Sequence, residues 1–473
     1  MLDPRIPPGV RLQKWTKEYG PYYGITEGTQ KTLITSDPDF VNEVFVKQFD
    51  NFHGRKTTAL QGDPNKNKRV HLLAAQGHRW KRLRTLSSPT FSNNSLRKIL
   101  GSVEDSAVEV MRLLEEKGGK GETLDMLDFY QEFTLDVIGK IAMGQVESKM
   151  FENPMLERVK AIFSDGRKPV LLITGVFPFT VPFFRGLFTR FSSLQPVFAL
   201  FDVMEKAVKA KIEQREADAQ KGIEPGEPQD FIDLFLDVQA DVEFFEGEAI
   251  EVGEFAKSQA SKVDRHLTFD EIIGQCFVFL LAGYDTTALS LSYTTYLLAR
   301  HPDVQRRVQQ EMDRECPNPE VTFDQLSKLK YTEMVVKETL RMYPLASIVH
   351  SRKCMQSTTV LGLQIEEGTN VAVDTWTLHY DPKIWGPDAE EFKPERWSSG
   401  DESFMKRGYL PFGLGPRQCV GLRLAYMEEK LLLTHILRKY SFETTARTDI
   451  PLKLVGRATT APTNVWLKLR ARN

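Results

Sequence analysis

Ten residues near the C-terminus, from Phe412 to Gly421, read Phe-Gly-Leu-Gly-Pro-Arg-Gln-Cys-Val-Gly. Gly413 and Gly415 open this stretch to backbone conformations closed to other residues, so it can turn tightly beside a flat ligand. Cys419 stands at the start of a helical pattern reaching about Tyr440, where free N–H groups and the helix dipole stabilise a thiolate. A thiolate held there is a good iron ligand, and Arg417 could pair with a carboxylate on the ligand's rim. The bland alternative is an inert buried thiol beside a glycine turn. Cys276, Cys316 and Cys354 have no comparable setting. Four scattered cysteines form neither a disulfide framework nor a zinc site, and they favour a reducing compartment.

A second group is Ala282-Gly283-Tyr284-Asp285-Thr286-Thr287. Gly283 inside a helix costs about 1 kcal/mol relative to alanine, so either close helix packing or an open groove must compensate. A carboxylate and two hydroxyls in an apolar helix are costly without partners. Trp80 and Arg84 share a helix face, and Glu338 and Arg341 face each other at i, i+3, where an ordinary surface pair is the usual explanation.

The elements that must position these residues are mostly helical. Thr268-Phe269-Asp270-Glu271 is a capping box, and the pattern it opens runs to Arg300. At about 1.5 Å per residue such a helix would cross the whole molecule, and its apolar middle predicts burial. Further helices are expected at Ser95 to Lys117, Leu124 to Met143 and Thr332 to the residues before Pro344, and after the capping box at Thr322. Tyr22 to Thr26 and Thr32 to Thr35 predict a hairpin turning at Gly28, with Asp37 capping a helix at Pro38. Val360 to Ile365 and Val371 to Trp376 predict strands. Residues 161 to 205 are apolar and aromatic, either core or a mobile lid that touches a membrane surface. Residues 216 to 265 are acidic and rich in Gly and Pro, as expected of a solvated connection.

The Phe412–Gly421 run matches F-x-x-G-x-R-x-C-x-G and resembles the cytochrome P450 family. The resemblance extends to Glu338-Thr339-Leu340-Arg341, to Pro394-Glu395-Arg396-Trp397, to Ala282 through Thr287, and to Trp80 through Arg84. It implies a mainly α fold with a small β-rich portion. That portion would come from about 20–45 and 355–395 plus the C-terminal segment, with helices over 80–350 and 419–440, all in one catalytic domain, 1–473. It implies heme b, bound to iron through Cys419 and contacted by Trp80, Arg84, Arg352, Phe412 and Arg417, with Arg55 a weaker match. Glu338, Arg341 and Arg396 would form a buried scaffold. Asp285 and Thr286 would relay protons, and Leu281, Ala282, Ala346, Ser347 and Ile348 would line the substrate pocket. The implied activity is an O2-dependent hydroxylation of a steroid, fatty acid or xenobiotic. Electrons would come from NADPH through cytochrome P450 reductase, with cytochrome b5 a second donor. Among family members the resemblance is strongest to the animal microsomal group that includes thromboxane synthase. This places the protein on the cytosolic face of the endoplasmic reticulum membrane, with the anchor helix missing.

Net charge is -2, which offers nothing to a nucleic acid. A reductase would need a local basic patch, for which Lys81, Arg82, Lys406, Arg407 and Arg423 are candidates. Pro169 to Phe184 is too short and proline-broken to span a bilayer; as an interfacial segment it would bind lipid from one side. Two rivals remain: a heme-thiolate isomerase acting on a peroxide, and a non-enzymatic heme sensor. An intact Asp285-Thr286 pair argues against the first, and an apolar lid over a substrate-sized cavity against the second.

Overall fold

The computed structural model describes residues 6–57, 62–118, 121–163, 169–191, 196–223, 228, 230–237, 266–346, 349–398, 407–456 and 459–472. Ser347, Ile348 and Lys406 lie outside the described residues, as does most of the acidic connection. The organising element is the helix Phe269–Arg300. Its capping box forms as the sequence predicts: Glu271 N donates to Thr268 Oγ1 at 3.3 Å, and Thr268 N to the Glu271 carboxylate at 3.0 Å. From Glu271 to Ala299 every residue is buried except Leu281, Ala282, Gly283 and Thr286. Length and composition would let this helix cross a membrane, but most of its apolar stretch is enclosed by protein.

Helices Met126–Met143, Pro196–Gln220, Lys330–Met342 and Leu422–Lys439 pack around it. A Cβ on Gly283 would come within 2.9 Å of Ile138 Cδ1 on the first of these, so close packing accounts for the glycine.

The β-rich part ties the two ends of the chain together. Tyr22–Glu27 pairs antiparallel with Gln30–Thr35, which runs parallel to Asn370–Val373 in the register Thr32 to Asn370. Ser351–Lys353 completes this four-stranded sheet. Near the C-terminus, Trp466–Ala471 lies between Thr123–Asp125 and Tyr440–Thr444. The architecture is mainly α with small sheets, as the sequence predicts.

Several boundaries differ from expectation for local reasons. The strand expected to reach Trp376 stops at Val373, because the Asp374 carboxylate caps the helix Thr375–His379. The stretch 20–45 is not all β, since Pro38–Asn42 is helical and continues into a wider turn at Glu43–Lys47. The C-terminal helix begins at Leu422 rather than at Cys419, because a 3-10 turn at Gly415–Arg417 occupies the approach. A helix at Pro8–Tyr19, not expected, docks when Thr16 Oγ1 donates to Asp374 Oδ2 at 2.6 Å. The apolar region folds as Pro169–Val176 and Val181–Arg190, and it leaves Phe177, Phe179 and Phe183 exposed rather than in the core.

Candidate active site

Both loop glycines adopt positive φ, +75° at Gly413 and +71° at Gly415. At Gly415 a Cβ would fall 2.1 Å from the Phe45 carbonyl oxygen, so only glycine lets the loop lie against that backbone. Cys419 N donates to the Phe412 carbonyl at 2.8 Å and Gln418 N to that of Gly415 at 2.9 Å, which closes the turn. Phe412 packs on Tyr426 of the following helix. Cys419 is the exposed member of the four cysteines. It is nonetheless crowded by protein, and this burial pushes its thiol up. The N–H groups of Gly421 and Leu422 and the charges of Arg84 and Arg55 pull the other way. The thiol is thus both reachable and partly desolvated. Burial raises Cys276 far more, and it has no accessible face.

Four guanidinium groups converge on this loop. Arg84, one helical turn after Trp80, donates to the Gln418 carbonyl at 2.9 Å. Arg352 donates to the Leu414 carbonyl at 3.1 Å and lies over the Phe45 ring. Arg417 spans the carbonyls of Leu73 and Ala75 and stacks on the buried Trp80 indole at 4.5 Å. Arg55 donates to the carbonyls of Val349 and Arg417. Among the described residues no carboxylate pairs with any of the four. Nε of Arg55, Arg352 and Arg417 is buried with no acceptor. Burial and mutual repulsion hold Arg352 and Arg417 well below the usual arginine range and Arg55 down to about 10. His350 beside them is pushed down to about 3 by burial and then by Arg55. So much unpaired positive charge fits a ligand with more than one carboxylate, next to a thiolate.

The proposed scaffold is a closed network. Both Glu338 oxygens accept from Arg341, at 2.9 Å each, and Arg396 Nε adds a third bond at 2.8 Å. Trp397 Nε1 and Lys393 N complete the carboxylate's shell. Glu338 and Arg341 are fully buried, so the surface-pair explanation fails. Arg341 also donates to the His379 carbonyl, and the His379 ring links the Arg341 carbonyl to Leu410 N. Leu410 in turn accepts from Gly413 N. The network thus reaches the cysteine loop through His379, a residue with no sequence motif to reveal it. Burial holds that ring neutral, down to about 3.

On the central helix the two relay candidates part company. Thr286 Oγ1 donates to the Ala282 carbonyl at 2.6 Å and sits on the accessible stripe. Asp285 is buried and accepts from Thr459 Oγ1 at 2.5 Å, a partner the sequence did not disclose. Ala282 is exposed, Leu281 is half-buried, and both Leu281 and Ala346 pack against the core. Sequence reading also missed Glu428 and Glu429, which take hydrogen bonds from Thr287 and from Ser290 and Thr294. Arg82 does not serve as a docking charge, because its guanidinium is bound to Glu271 at 2.8 Å and to the His266 carbonyl. Arg407 lies 3.4 Å from Asp39.

The comparisons with known proteins agree with this geometry. The Cytochrome P450 family model matches residues 4–468. A Caenorhabditis elegans protein named as cytochrome P450 CYP13A5 is 69% identical over 469 residues, covering 98% of this chain and 90% of that protein. CYP13A4 and CYP13A7 of the same organism are 67% and 66% identical, each over 98% of this chain and 90% of its own length. A reachable thiol on a glycine loop, beside four arginines with no carboxylate partner among the described residues, is thus accounted for: the chain belongs to the cytochrome P450 family of heme-dependent monooxygenases.

Proposed function

We propose that residues 1–473 act as one catalytic domain, which hydroxylates an apolar organic substrate such as a steroid, fatty acid or xenobiotic. Electrons come from NADPH through a reductase, with cytochrome b5 as a second donor. The observation that carries this reading is the accessible Cys419 thiol beside four arginines that have no carboxylate partner among the described residues. Heme b fits them: its two propionates would offset that charge, Cys419 would supply the thiolate to its iron, and the bound group would supply oxygen activation. Arg55, Arg84, Arg352 and Arg417 would hold the propionates, with Trp80 fixing the Arg417 plane and Phe412 and His379 fixing the loop. The accessible stripe Leu281, Ala282, Gly283 and Thr286 would form the opposite wall, completed by Ala346, Ser347 and Ile348.

In this reading Thr286 holds a proton at its hydroxyl and passes it on to the reacting group, being able to donate one hydrogen bond and accept another. Thr286→Ala keeps heme uptake and substrate binding but sends more NADPH to hydrogen peroxide, lowering product per NADPH roughly 10-fold or more. Thr286→Ser keeps coupling. Measured NADPH, peroxide and product decide it; unchanged coupling in Thr286→Ala removes the hydroxyl from the relay. NADPH consumption tied to product also separates a monooxygenase from a peroxide isomerase or a sensor.

The same proposal places the protein on the cytosolic face of the endoplasmic reticulum. Phe179 and Phe183 are 80% and 68% exposed, and Phe177 is 51% exposed, on an otherwise apolar segment, an arrangement suited to the lipid interface. Phe184 instead packs on Phe188. Liposome flotation should recover part of the protein, and Phe179→Ser with Phe183→Ser should lower that fraction several-fold. No flotation of the parent protein rules the idea out.

A further inference from the structure

Asp285 has a partner that the relay reading does not use. Its Oδ2 accepts from Thr459 Oγ1 at 2.5 Å across 174 residues of sequence. The threonine is held in place from three sides. Gly456, at φ +112°, lets the hairpin turn close so tightly that a Cβ there would sit 2.2 Å from the Thr459 carbonyl oxygen. Thr460 N donates to the Leu345 carbonyl at 2.7 Å, and Tyr293 of the central helix donates to the Thr460 carbonyl at 2.8 Å. The hairpin Leu454–Val455 with Ala461–Pro462 carries all of this.

We propose that Thr459 is a positioning residue for Asp285, holding the acid on the hairpin side of the central helix and setting when it can serve Thr286. The proposal rests on the relay reading above. Successive side chains on a helix diverge by about 100°, so the carboxyl must turn away from Thr459 before it can meet the Thr286 hydroxyl. That hydroxyl can accept from the acid while it donates to the Ala282 carbonyl, and must leave that carbonyl to pass a proton on. Burial pushes Asp285 up to about 6 while the Thr459 hydroxyl draws it down. Among the described residues, the titratable groups sensing its charge are Tyr284 and Tyr293 of its own helix, both raised chiefly by burial.

The test is an infrared pH titration of the Asp285 carboxyl in the heme-loaded protein. The band is identified by its loss in Asp285→Asn, because Glu428 and Glu429 are also buried acids. Thr459→Val should raise the midpoint by about one to two pH units, the size expected on losing a hydrogen bond to a charged group. Thr459→Ser should leave it in place, and Thr459→Ala should repeat the valine shift if valine folds poorly. The pH profile of product per NADPH should move upward with the band. An unmoved midpoint in folded Thr459→Val and Thr459→Ala overturns the proposal. So does a midpoint that moves while the coupling profile stays still, an outcome that leaves the relay itself to be judged by Thr286→Ala.

Discussion

Cys419→Ala abolishes the red-shifted Soret band of the reduced carbon monoxide complex, and Cys276→Ala leaves it intact. That band reports a thiolate ligand, and only Cys419 combines access with a loop that supplies N–H groups and guanidinium charge to the sulfur. Cys276, Cys316 and Cys354 are fully buried, and Cys354 is already turned to the Gln356 carbonyl. The alanine variant should still fold, because the turn is closed by backbone hydrogen bonds and two positive-φ glycines, none of which needs the thiol. Its monooxygenase turnover should fall to background. A surviving band in Cys419→Ala, or a lost one in Cys276→Ala, overturns the assignment.

Glu338→Gln should cost roughly 3–5 kcal/mol, the usual penalty for removing one partner of a buried ion pair. One carboxylate here takes five hydrogen bonds, from Arg341, Arg396, Trp397 and the Lys393 backbone. Glutamine keeps the volume but leaves the buried Arg341 guanidinium with no carboxylate among the described residues and Arg396 with Asp388 at 3.3 Å. The Arg307–Glu395 pair nearby is the control. It is about half exposed on the arginine side, so Arg307→Ala should cost under about 1 kcal/mol. Urea midpoints of the two variants decide between scaffold and surface pair. Similar midpoints for Glu338→Gln and Arg307→Ala would mean the network is dispensable. Protein that does fold should keep the thiolate spectrum, since Glu338 reaches the loop indirectly, through Arg341, His379 and Leu410.

What was legible in the sequence was local. A glycine turn before a cysteine, a capping box, and charges at i, i+3 are each specified within ten residues, and each forms as read. What escaped was carried by contacts between distant segments. Thr459 meets Asp285 across 174 positions, and nothing around Thr459 marks it as a partner for an acid. His379 looks like any surface histidine until folding wedges it between Arg341 and Leu410. Arg82 seemed available for a redox partner because Glu271 is 189 residues away. Strand ends were misjudged where a capping side chain intervened, as Asp374 does after Val373.

The central helix leaves little latitude for diversification. Over 29 consecutive positions, Glu271 to Ala299, four are not packed on all sides. Interiors at this density resist even a single added methylene, so drift at the other positions is held to near-isosteric exchange. Gly283 is further restrained by Ile138, which leaves Leu281, Ala282 and Thr286 as places where a changed side chain meets open space. A lineage built on this frame can therefore retune its chemical preferences on the helix in only a few small steps. Larger shifts in repertoire have to be written elsewhere, as in the apolar segment after Pro169, where Phe177, Phe179 and Phe183 are exposed and exchange disturbs less of the core.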